Sequence, residues 1–458
     1  MRRTRRLLLP LYMMLSACMP MAPSETPTRA ASMTSTLPAM KTFSVPRPVP
    51  AVRSNADIAR DFLDLTFRLE SGRALPGLSR FEGPITVRVN GDAPPQLDRD
   101  LKRLLHRLRS EARLDIHQVD PSQAASVTIH AVSTHDIRRA LPMAACFVVP
   151  NVSSLGEYKR MRRSSKLNWG QITRREKVAI FVPNDSTPQE MRDCLHEELA
   201  QSLGPLNDLY RLSDSVFNDD NVHTVLTGFD MLILRATYDG ALRPGMTRGQ
   251  VAARLPGILA RINPRGANGL ASHLDRTPRV WIDAVQTALG PGASPGERQR
   301  AATEALKVAS AMGWQDHRRA FSHYARGRIL LASDPDQARA EFEAAGRFYR
   351  QTPSTALHQA YVASQLAALE LTRAQPERAL NLVRPHVDTA ARYENAALLA
   401  TLLLIRAEAL DLMGRVSEAR EVRMDSLGWA RYGFGADWAV RAKLREIAAL
   451  SPLKGPRG

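Results

Sequence analysis

The sequence contains little cysteine, few aromatic residues and, beyond its N-terminal stretch, no long apolar segment. Only 3 of its 458 residues are cysteines, and 6% are aromatic. No later segment is long and apolar enough to cross a bilayer as a helix, which excludes a protein with several membrane spans. The densest basic run, 159–166, has no aromatic residue within it to stack on bases, which argues against a nucleic-acid surface.

The N-terminal stretch has the order of parts typical of a signal peptide. Four arginines among the first six residues precede an apolar stretch at 7–14 that is too short to span a bilayer. Residues 15–18, Leu-Ser-Ala-Cys, resemble the lipobox of bacterial lipoproteins. The resemblance implies a signal peptide at 1–17, lipid on Cys18 and, because Met19 rather than aspartate follows, an outer-membrane lipoprotein facing the periplasm. The alternative is an ordinary signal peptide with a chance cysteine.

Export changes the meaning of the positive charge. The formal charge of +17 falls to +13 once the four arginines of the signal peptide are removed. In the periplasm the anionic partners are phospholipid, lipopolysaccharide and cell-wall polymers, not nucleic acid. We therefore expect contact with the membrane through the N-terminal lipid and no nucleic-acid partner. The alternative for the basic run 159–166 is a solvated loop.

The two remaining cysteines, Cys146 and Cys194, are candidates for a disulfide. Two cysteines in an oxidising compartment can pair. Cys146 lies in an apolar stretch expected to form a strand, and Cys194 lies in a predicted helix. A bond between them would attach the helix to the sheet. The alternative is two buried free thiols.

Composition divides the exported chain into a tether, a mixed region and a helical region. Residues 18–53 are rich in proline, serine and threonine and predict a tether. Residues 54–265 contain both strand and helix patterns and predict an α+β domain in which a mixed sheet packs on two helices. After a linker at 266–294, residues 295–450 have helical periodicity throughout.

Within the mixed region, apolar alternation and helix caps give the order of elements. Strands are predicted at 85–89, 114–119, 126–132, 144–149 and 177–182. Helices are predicted at 54–72, ending at Gly72, at 95–112, and at 184–204. The last has a cap at Thr187, a capping box with Glu190 and a left-handed stop at Gly204.

The segment 194–208, CLHEELAQSLGPLND, begins like a zinc-binding helix but lacks its second histidine. In the pattern H-E-x-x-H two histidines one turn apart bind zinc, and the glutamate is the general base. If His196 were the first ligand, the second would be Ala200, which has no donor atom. Moving the pattern forward by one residue makes Glu197 and Gln201 the ligand pair and Glu198 the base.

With Glu197 first, the segment resembles the metzincin pattern H-E-x-x-H-x-x-G-x-x-H/D. Gly204 falls seven residues after Glu197, and Asn207 falls ten residues after it at the third ligand position, with Asp208 next. Downstream, 226–239 resembles the last helix of matrixin-type metzincins, and Val216 stands where such enzymes have the methionine of the Met-turn. The stretch is also similar to an uncharacterised family of exported bacterial domains with E-E-x-x-Q in place of H-E-x-x-H.

The residues at the ligand positions imply loss of zinc catalysis. Catalytic zinc needs three strong donors and one open position, and the amides of Gln201 and Asn207 are poor zinc ligands. Carboxylates at Glu197 and Asp208 suit a harder divalent cation, held weakly. We therefore expect no cofactor, with zinc or a harder cation as the alternative. A third interpretation is a hydrogen-bonded polar network around Glu198. His223 could approach the site, but a lone histidine in the polar stretch around it is expected at the surface.

The C-terminal part contains a repeated pattern of about forty residues. Ala338, Ala379 and Ala419 are 41 and 40 residues apart, and each follows a short polar turn at the start of a predicted helix. Periods of this size indicate helix–turn–helix arrays, and the stretch resembles tetratricopeptide-like repeats. Such arrays bind proteins or peptides on their surfaces. An irregular helical bundle is the alternative.

Together these patterns predict a lipid-anchored periplasmic binding or scaffolding protein of the cell envelope. An envelope protein or peptide would bind the helical repeats, and the metzincin-like domain would be inactive. The rival hypothesis is a periplasmic hydrolase with an unusual metal site, in which Glu198 is the general base. A purely structural envelope protein is the third.

Overall fold

The structure is a computed structural model that describes residues 35, 37–43, 49–272, 274–452 and 454. Cys18, the expected signal peptide and much of the expected tether lie outside these residues. From Leu37 onwards the chain forms a single compact unit. None of the helices in these ranges is long and apolar enough to cross a membrane.

A mixed five-stranded sheet organises the N-terminal part. Its strands, in chain order, are β1 Ile85–Gly91, β2 Ile116–Gln118, β3 Val127–Val132, β4 Phe147–Pro150 and β5 Val178–Pro183. The spatial order is β2-β1-β3-β5-β4. Every neighbouring pair is parallel except β4–β5, which is antiparallel. Strand β5 is buried along its whole length, as its continuous apolar sequence predicts.

Eight helices accompany this sheet in the described part of the chain. They are α1 Asn55–Thr66, α2 Pro95–Ser110, α3 Thr134–Ala140, α4 Leu155–Met161, α5 Pro188–Leu203, α6 Gly228–Thr237, α7 Arg248–Ala252 and α8 Leu255–Ile262. Helices α2 and α5 pack on each other and on the sheet, and α3 packs on β5. Aliphatic residues of both helices join those of β1, β3 and β5 in one core. The α+β layout predicted from the sequence is confirmed.

Helix α1 ends earlier than its sequence pattern predicts. It stops at Thr66, because the chain then reverses and Arg68 and Ala74 pair as an antiparallel bridge. Gly72 has φ 81° and lies in this turn instead of ending the helix. The left-handed conformation of Gly72 therefore serves a hairpin-like turn and not the end of the helix.

The C-terminal part is helical throughout, and most helices pack on the next one in the chain. They are α9 Arg279–Leu289, α10 Pro295–Ala311, α11 His317–Leu330, α12 Pro335–Gln351, α13 Ala356–Thr372, α14 Pro376–Val383, α15 Val387–Arg392, α16 Ala396–Leu412, α17 Val416–Phe434 and α18 Asp437–Ala448. The predicted layout of an α+β part followed by a helical part is confirmed. Helix α9 lies within the expected linker 266–294, where Trp281 is fully buried, so this segment is part of the helical core.

The three alanines of the repeated pattern occupy equivalent places. Ala338, Ala379 and Ala419 are each the fourth residue of a helix, in α12, α14 and α17, and each is fully buried. The helix before each of them packs against it: α11 on α12, α13 on α14 and α16 on α17. A small side chain at this point lets the paired helices approach closely.

Candidate functional site

Helix α5 carries the segment that resembles a metal-binding helix, and its N-terminus forms as its sequence predicts. The Thr187 hydroxyl accepts a hydrogen bond from the Glu190 N–H at 3.1 Å, and the Glu190 carboxylate accepts one from the Thr187 N–H at 3.0 Å. This reciprocal capping box, with Pro188 in the first turn, fixes where the helix begins.

The C-terminus of α5 is stopped by tertiary contacts. Gly204 has φ −176°, so the predicted left-handed stop is wrong. The buried Arg175 guanidinium donates to the carbonyls of Gln201 and Gly204 at 2.6 and 2.7 Å, and the Tyr238 hydroxyl donates to the Leu203 carbonyl at 2.9 Å. Glycine is needed at 204 for another reason: an added Cβ would meet the Thr237 side chain at 3.0 Å.

The side chain of His196 on α5 makes a structural contact with the backbone. It is 5% exposed, and its Nδ1 accepts a hydrogen bond from the Leu226 N–H at 3.0 Å. Burial, and then the nearby charge of Arg192, holds the pKa of His196 well below its usual range. The imidazole is therefore neutral, and its Nδ1 is occupied by the backbone.

Five carboxyl groups interact electrostatically around α5, and we call them the acidic cluster. They come from the turn after α1, from α5 itself and from the segment between α5 and α6. The members of the cluster are Glu70, Glu197, Glu198, Asp208 and Asp219. Burial, followed by the charges of Asp219 and Glu70, raises the pKa of Glu197 to about 8. Burial and the charge of Glu197 raise the pKa of Glu198 well above its usual range. Carboxyl groups this close cannot all ionise near neutral pH, so the cluster holds protons or takes up a cation.

The acidic cluster opens into a cleft of about 250 Å³. Glu70, which is exposed, and Asp208, which is half-buried, line this cleft. Asp219 is exposed and Glu198 is buried, and neither of them lines it. The Tyr210 hydroxyl donates to Asp219 at 2.9 Å, and the Gln286 amide of α9 donates to it at 3.1 Å. The cleft is lined on its other sides by residues that include four arginines: Arg68, Arg211, Arg276 and Arg279.

Two oxygens of the acidic cluster have no hydrogen-bond partner within the described chain. They are Oε2 of Glu198 and Oδ1 of Asp208, and both are buried. A buried carboxylate oxygen without a donor is costly unless the group is protonated or a cation binds it. In the part of the chain that the structure describes, no three His, Cys, Asp or Glu side chains are arranged to hold a metal ion. The donors are carboxylates, which suit a hard cation and not zinc.

The two amide side chains at the predicted ligand positions differ from the carboxylates. Asn207 donates its side-chain N–H to the Asp64 carbonyl of α1 at 2.9 Å, so this amide fastens the loop after α5 to α1. Gln201 is buried, and its backbone carbonyl, not its side chain, accepts the hydrogen bond from Arg175. The structure thus brings Glu197, Glu198 and Asp208 together and assigns Asn207 a structural contact.

The downstream segment is held by Asp230 near the N-terminus of α6. Its carboxylate accepts hydrogen bonds from the Thr227 N–H at 2.7 Å and the Val216 N–H at 3.2 Å. This places Val216 in a loop that is tied to α6. His223 is 8% exposed, so its expected surface position is wrong. It contacts the Ser213 carbonyl at 3.2 Å and packs on aromatic residues of the helical part.

Sequence reasoning missed Glu70 and Asp219. Glu70 lies in the turn after α1, and Asp219 lies in the loop before α6. Neither has a fixed spacing from α5, so no local motif identifies it. Glu70 also falls inside the helix predicted at 54–72, so no sequence signal indicated that it would approach α5.

Cys146 and Cys194 form a disulfide in the structure. The bond links the residue preceding β4 to the middle of α5. It attaches the helix to the antiparallel edge of the sheet, where α5 also packs on β4 and β5.

Comparison with known proteins places a domain boundary but no function. Residues 55–257 match the family described as "Protein of unknown function (DUF2927)". No curated protein and no solved structure matches the sequence. The matched range begins at α1 and ends within α8, and so it includes the sheet, α5 and all five members of the acidic cluster. The chain therefore carries a DUF2927 domain at residues 55–257, followed by a helical region.

Proposed function

We propose that this protein is a lipid-anchored binding or scaffolding protein of the bacterial cell envelope. In this proposal Cys18 carries the lipid and the chain faces the periplasm from the outer membrane. The DUF2927 domain is metzincin-like, with a mixed sheet packed on α2 and α5, and is inactive as a zinc peptidase. The tetratricopeptide-like helical region binds an envelope protein or peptide.

The observation that carries the proposal is which residues occupy the ligand positions of α5. A zinc peptidase needs imidazoles at its ligand positions, whereas here Glu197 and Gln201 occupy them. The one histidine of the helix, His196, is neutral and bound by the Leu226 N–H. The surroundings of α5 thus support a retained fold whose zinc chemistry has been lost.

The junction between the two regions supports a binding role for the helical part. Arg192 of α5 is 1% exposed and donates to the backbone carbonyl of Glu394, just before α16, at 2.6 Å. Gln189 accepts from the Ala397 N–H at 2.9 Å, and Tyr432 of α17 donates to Asp100 of α2 at 2.7 Å. These buried polar contacts fix the helical region on the DUF2927 domain, which suits a rigid platform for a partner.

One observation favours a second candidate, a hydrolase that uses an unusual metal site. The unpaired oxygens of Glu198 and Asp208 lie within a cluster that opens into a cleft. A hard divalent cation there would activate a water molecule, and Glu198 would accept its proton. Zinc does not fit this donor set, because it consists of carboxylates.

Metal content and a pair of Glu198 variants separate the two candidates. For a scaffold, the purified protein holds no stoichiometric metal after dialysis and cleaves no peptide library. Glu198→Gln then leaves the fold and the metal content unchanged, and Glu198→Ala lowers stability, because truncating a buried side chain leaves a cavity. Glu418→Gln, at an exposed position of α17, is the matched control.

The opposite outcome would establish the hydrolase. One equivalent of metal per chain, together with peptide cleavage that is lost in Glu198→Gln but kept in Glu418→Gln, would replace the scaffold proposal. Lipid anchoring has its own test: Cys18→Ser should release the protein from membranes, and an unlipidated mature N-terminus in the wild type would contradict it.

A further inference from the structure

The first described segment of the chain, 37–43, is seated on α17. The Lys41 N–H donates to the Gly428 carbonyl at 3.0 Å, and Arg431 donates to the Pro38 carbonyl at 2.9 Å. Phe43 stacks on Trp429 with ring centroids 4.6 Å apart. A side chain at Gly428 would collide with Lys41, at 2.8 Å from the added Cβ. The chain therefore joins the compact unit at the surface of α17.

Leu37 connects this segment to α18. It packs into a small apolar cluster whose buried members include Val440 of α18 and whose half-buried members include Leu444 of the same helix. These residues form the inner face of α18.

The outer face of α18 is exposed and combines one large aromatic residue with basic ones. Trp438 is 74% exposed, and Arg441, Ala442 and Arg445 follow it on the same side of the helix and are also exposed. Glu446, at the edge of this face, is paired with Lys443 at 2.7 Å, so its charge is compensated. We call these four residues, Trp438, Arg441, Ala442 and Arg445, the α18 face.

We propose that the α18 face rests on an anionic phospholipid surface. Tryptophan and arginine are the residues that favour the boundary between lipid headgroups and water, and arginine is attracted to anionic lipid. The packing of Leu37 on the inner face of α18 gives the geometric reason. Nineteen residue steps separate Cys18 from Leu37 and span at most about 65 Å, so a lipid on Cys18 would hold Leu37 within that distance of the bilayer. This last step rests on the lipid anchoring proposed above.

Vesicle binding by the unacylated protein tests the α18 face. The chain from residue 18 onwards, with Cys18→Ser, is mixed with phosphatidylethanolamine–phosphatidylglycerol vesicles or with phosphatidylcholine vesicles, and bound protein is measured by sedimentation. We expect tighter binding to the anionic vesicles. Arg445→Glu should weaken it at least about fivefold, the effect of about 1 kcal/mol for one basic residue near an anionic surface. Trp438→Ser should also weaken it.

Two matched variants control for general effects of charge and exposed apolar area. Met143→Ser removes an apolar side chain that is likewise 74% exposed but lies before β4. Arg300→Glu reverses an exposed charge on α10. Both should bind vesicles like the parent. Equal losses in the control variants, no preference for anionic vesicles, or a soluble protein that occupies the α18 face would overturn the inference.

The result is distinguishable from a failure of lipid anchoring. Labelled fatty acid on wild-type Cys18 is measured separately. Acylated Cys18 without vesicle binding through Trp438 and Arg445 overturns only the α18 face. Binding that depends on these two residues, with an unmodified Cys18, supports the face and removes only the anchor.

Discussion

The junction between the DUF2927 domain and the helical region should depend on one carboxylate, Glu394. The Arg192 guanidinium is buried and lies 3.4 Å from Glu394 Oε2, while Arg103 donates to both carboxylate oxygens at 3.1 and 3.0 Å. Replacement by glutamine keeps the size of the side chain and removes its charge. Arg192 then remains buried without a counter-charge within this contact.

The expected loss is about 3 kcal/mol in the free energy of unfolding. Breaking a buried ion pair by removing one partner costs about 3–5 kcal/mol. The lower end applies here, since Arg192 keeps hydrogen bonds to the Glu394 carbonyl and to the Thr224 hydroxyl at 3.1 Å. Urea titration followed by both far-ultraviolet circular dichroism and tryptophan fluorescence measures the change, and two coincident curves show that the regions unfold together.

A double-mutant cycle shows whether the charge pair is the cause. Arg192→Met removes the guanidinium, so adding Glu394→Gln to it should cost much less than Glu394→Gln alone. Glu418→Gln, an exposed carboxylate of the same region, should change stability by less than about 0.5 kcal/mol. If Glu394→Gln costs as little as this control, or if the two changes at the junction simply add, the buried pair does not hold the regions together.

Three further predictions follow from the contacts of α5 and of the helical region. Mass mapping without reduction should find Cys146 linked to Cys194. Cys194→Ser should lower the free energy of unfolding by about 4 kcal/mol, because the bond closes a loop with a sequence separation of 48. Native protein in which both thiols can be alkylated would contradict this. Glu197 has a pKa raised from 4.5 to about 8, so the folded state keeps a proton that the unfolded state loses. Its stabilising contribution is complete below pH 4.5 and is lost as the pH rises through 8. The stability of Glu197→Gln relative to wild type, measured by thermal unfolding, should therefore increase by a few kcal/mol between pH 5 and 9. A stability difference that does not change with pH would refute the raised pKa. Finally, Gly433→Ala should lower the free energy of unfolding by about 1–3 kcal/mol, because the added Cβ would lie 2.5 Å from the Ala397 backbone. The control Gly257→Ala in α8, which has open space around it, should stabilise by about 0.5–1 kcal/mol. Similar effects of the two changes in urea titrations would show that the α16–α17 contact is not tight.

Elements whose ends are set by local interactions were predictable from the sequence. The start of α5 follows from Thr187, Pro188 and Glu190, which act within one turn, and the strands follow from alternation or from a continuous apolar run. The two-part layout follows from the change of periodicity along the chain. Each of these signals involves residues that are neighbours in the sequence, so no knowledge of the tertiary structure is needed.

Features set by distant contacts were not predictable. Gly204 has the residue type of a left-handed stop, yet the end of α5 is determined by Arg175 and by the close approach of Thr237. Likewise, the register of α5 identifies Glu197 and Glu198, but Glu70 and Asp219 reach the acidic cluster from loops. The buried position of His223 also depends on the helical region packing above it.

Contacts from three directions hold α5 in place. The disulfide holds the middle of α5, Arg175 and Tyr238 bind its last carbonyls, and Arg192 fastens it to the helical region. These contacts approach α5 from the edge of the sheet, from its C-terminus and from the helical region. The acidic cluster on the remaining flank is therefore free to carry charge or protons without deciding whether the helix stays in place.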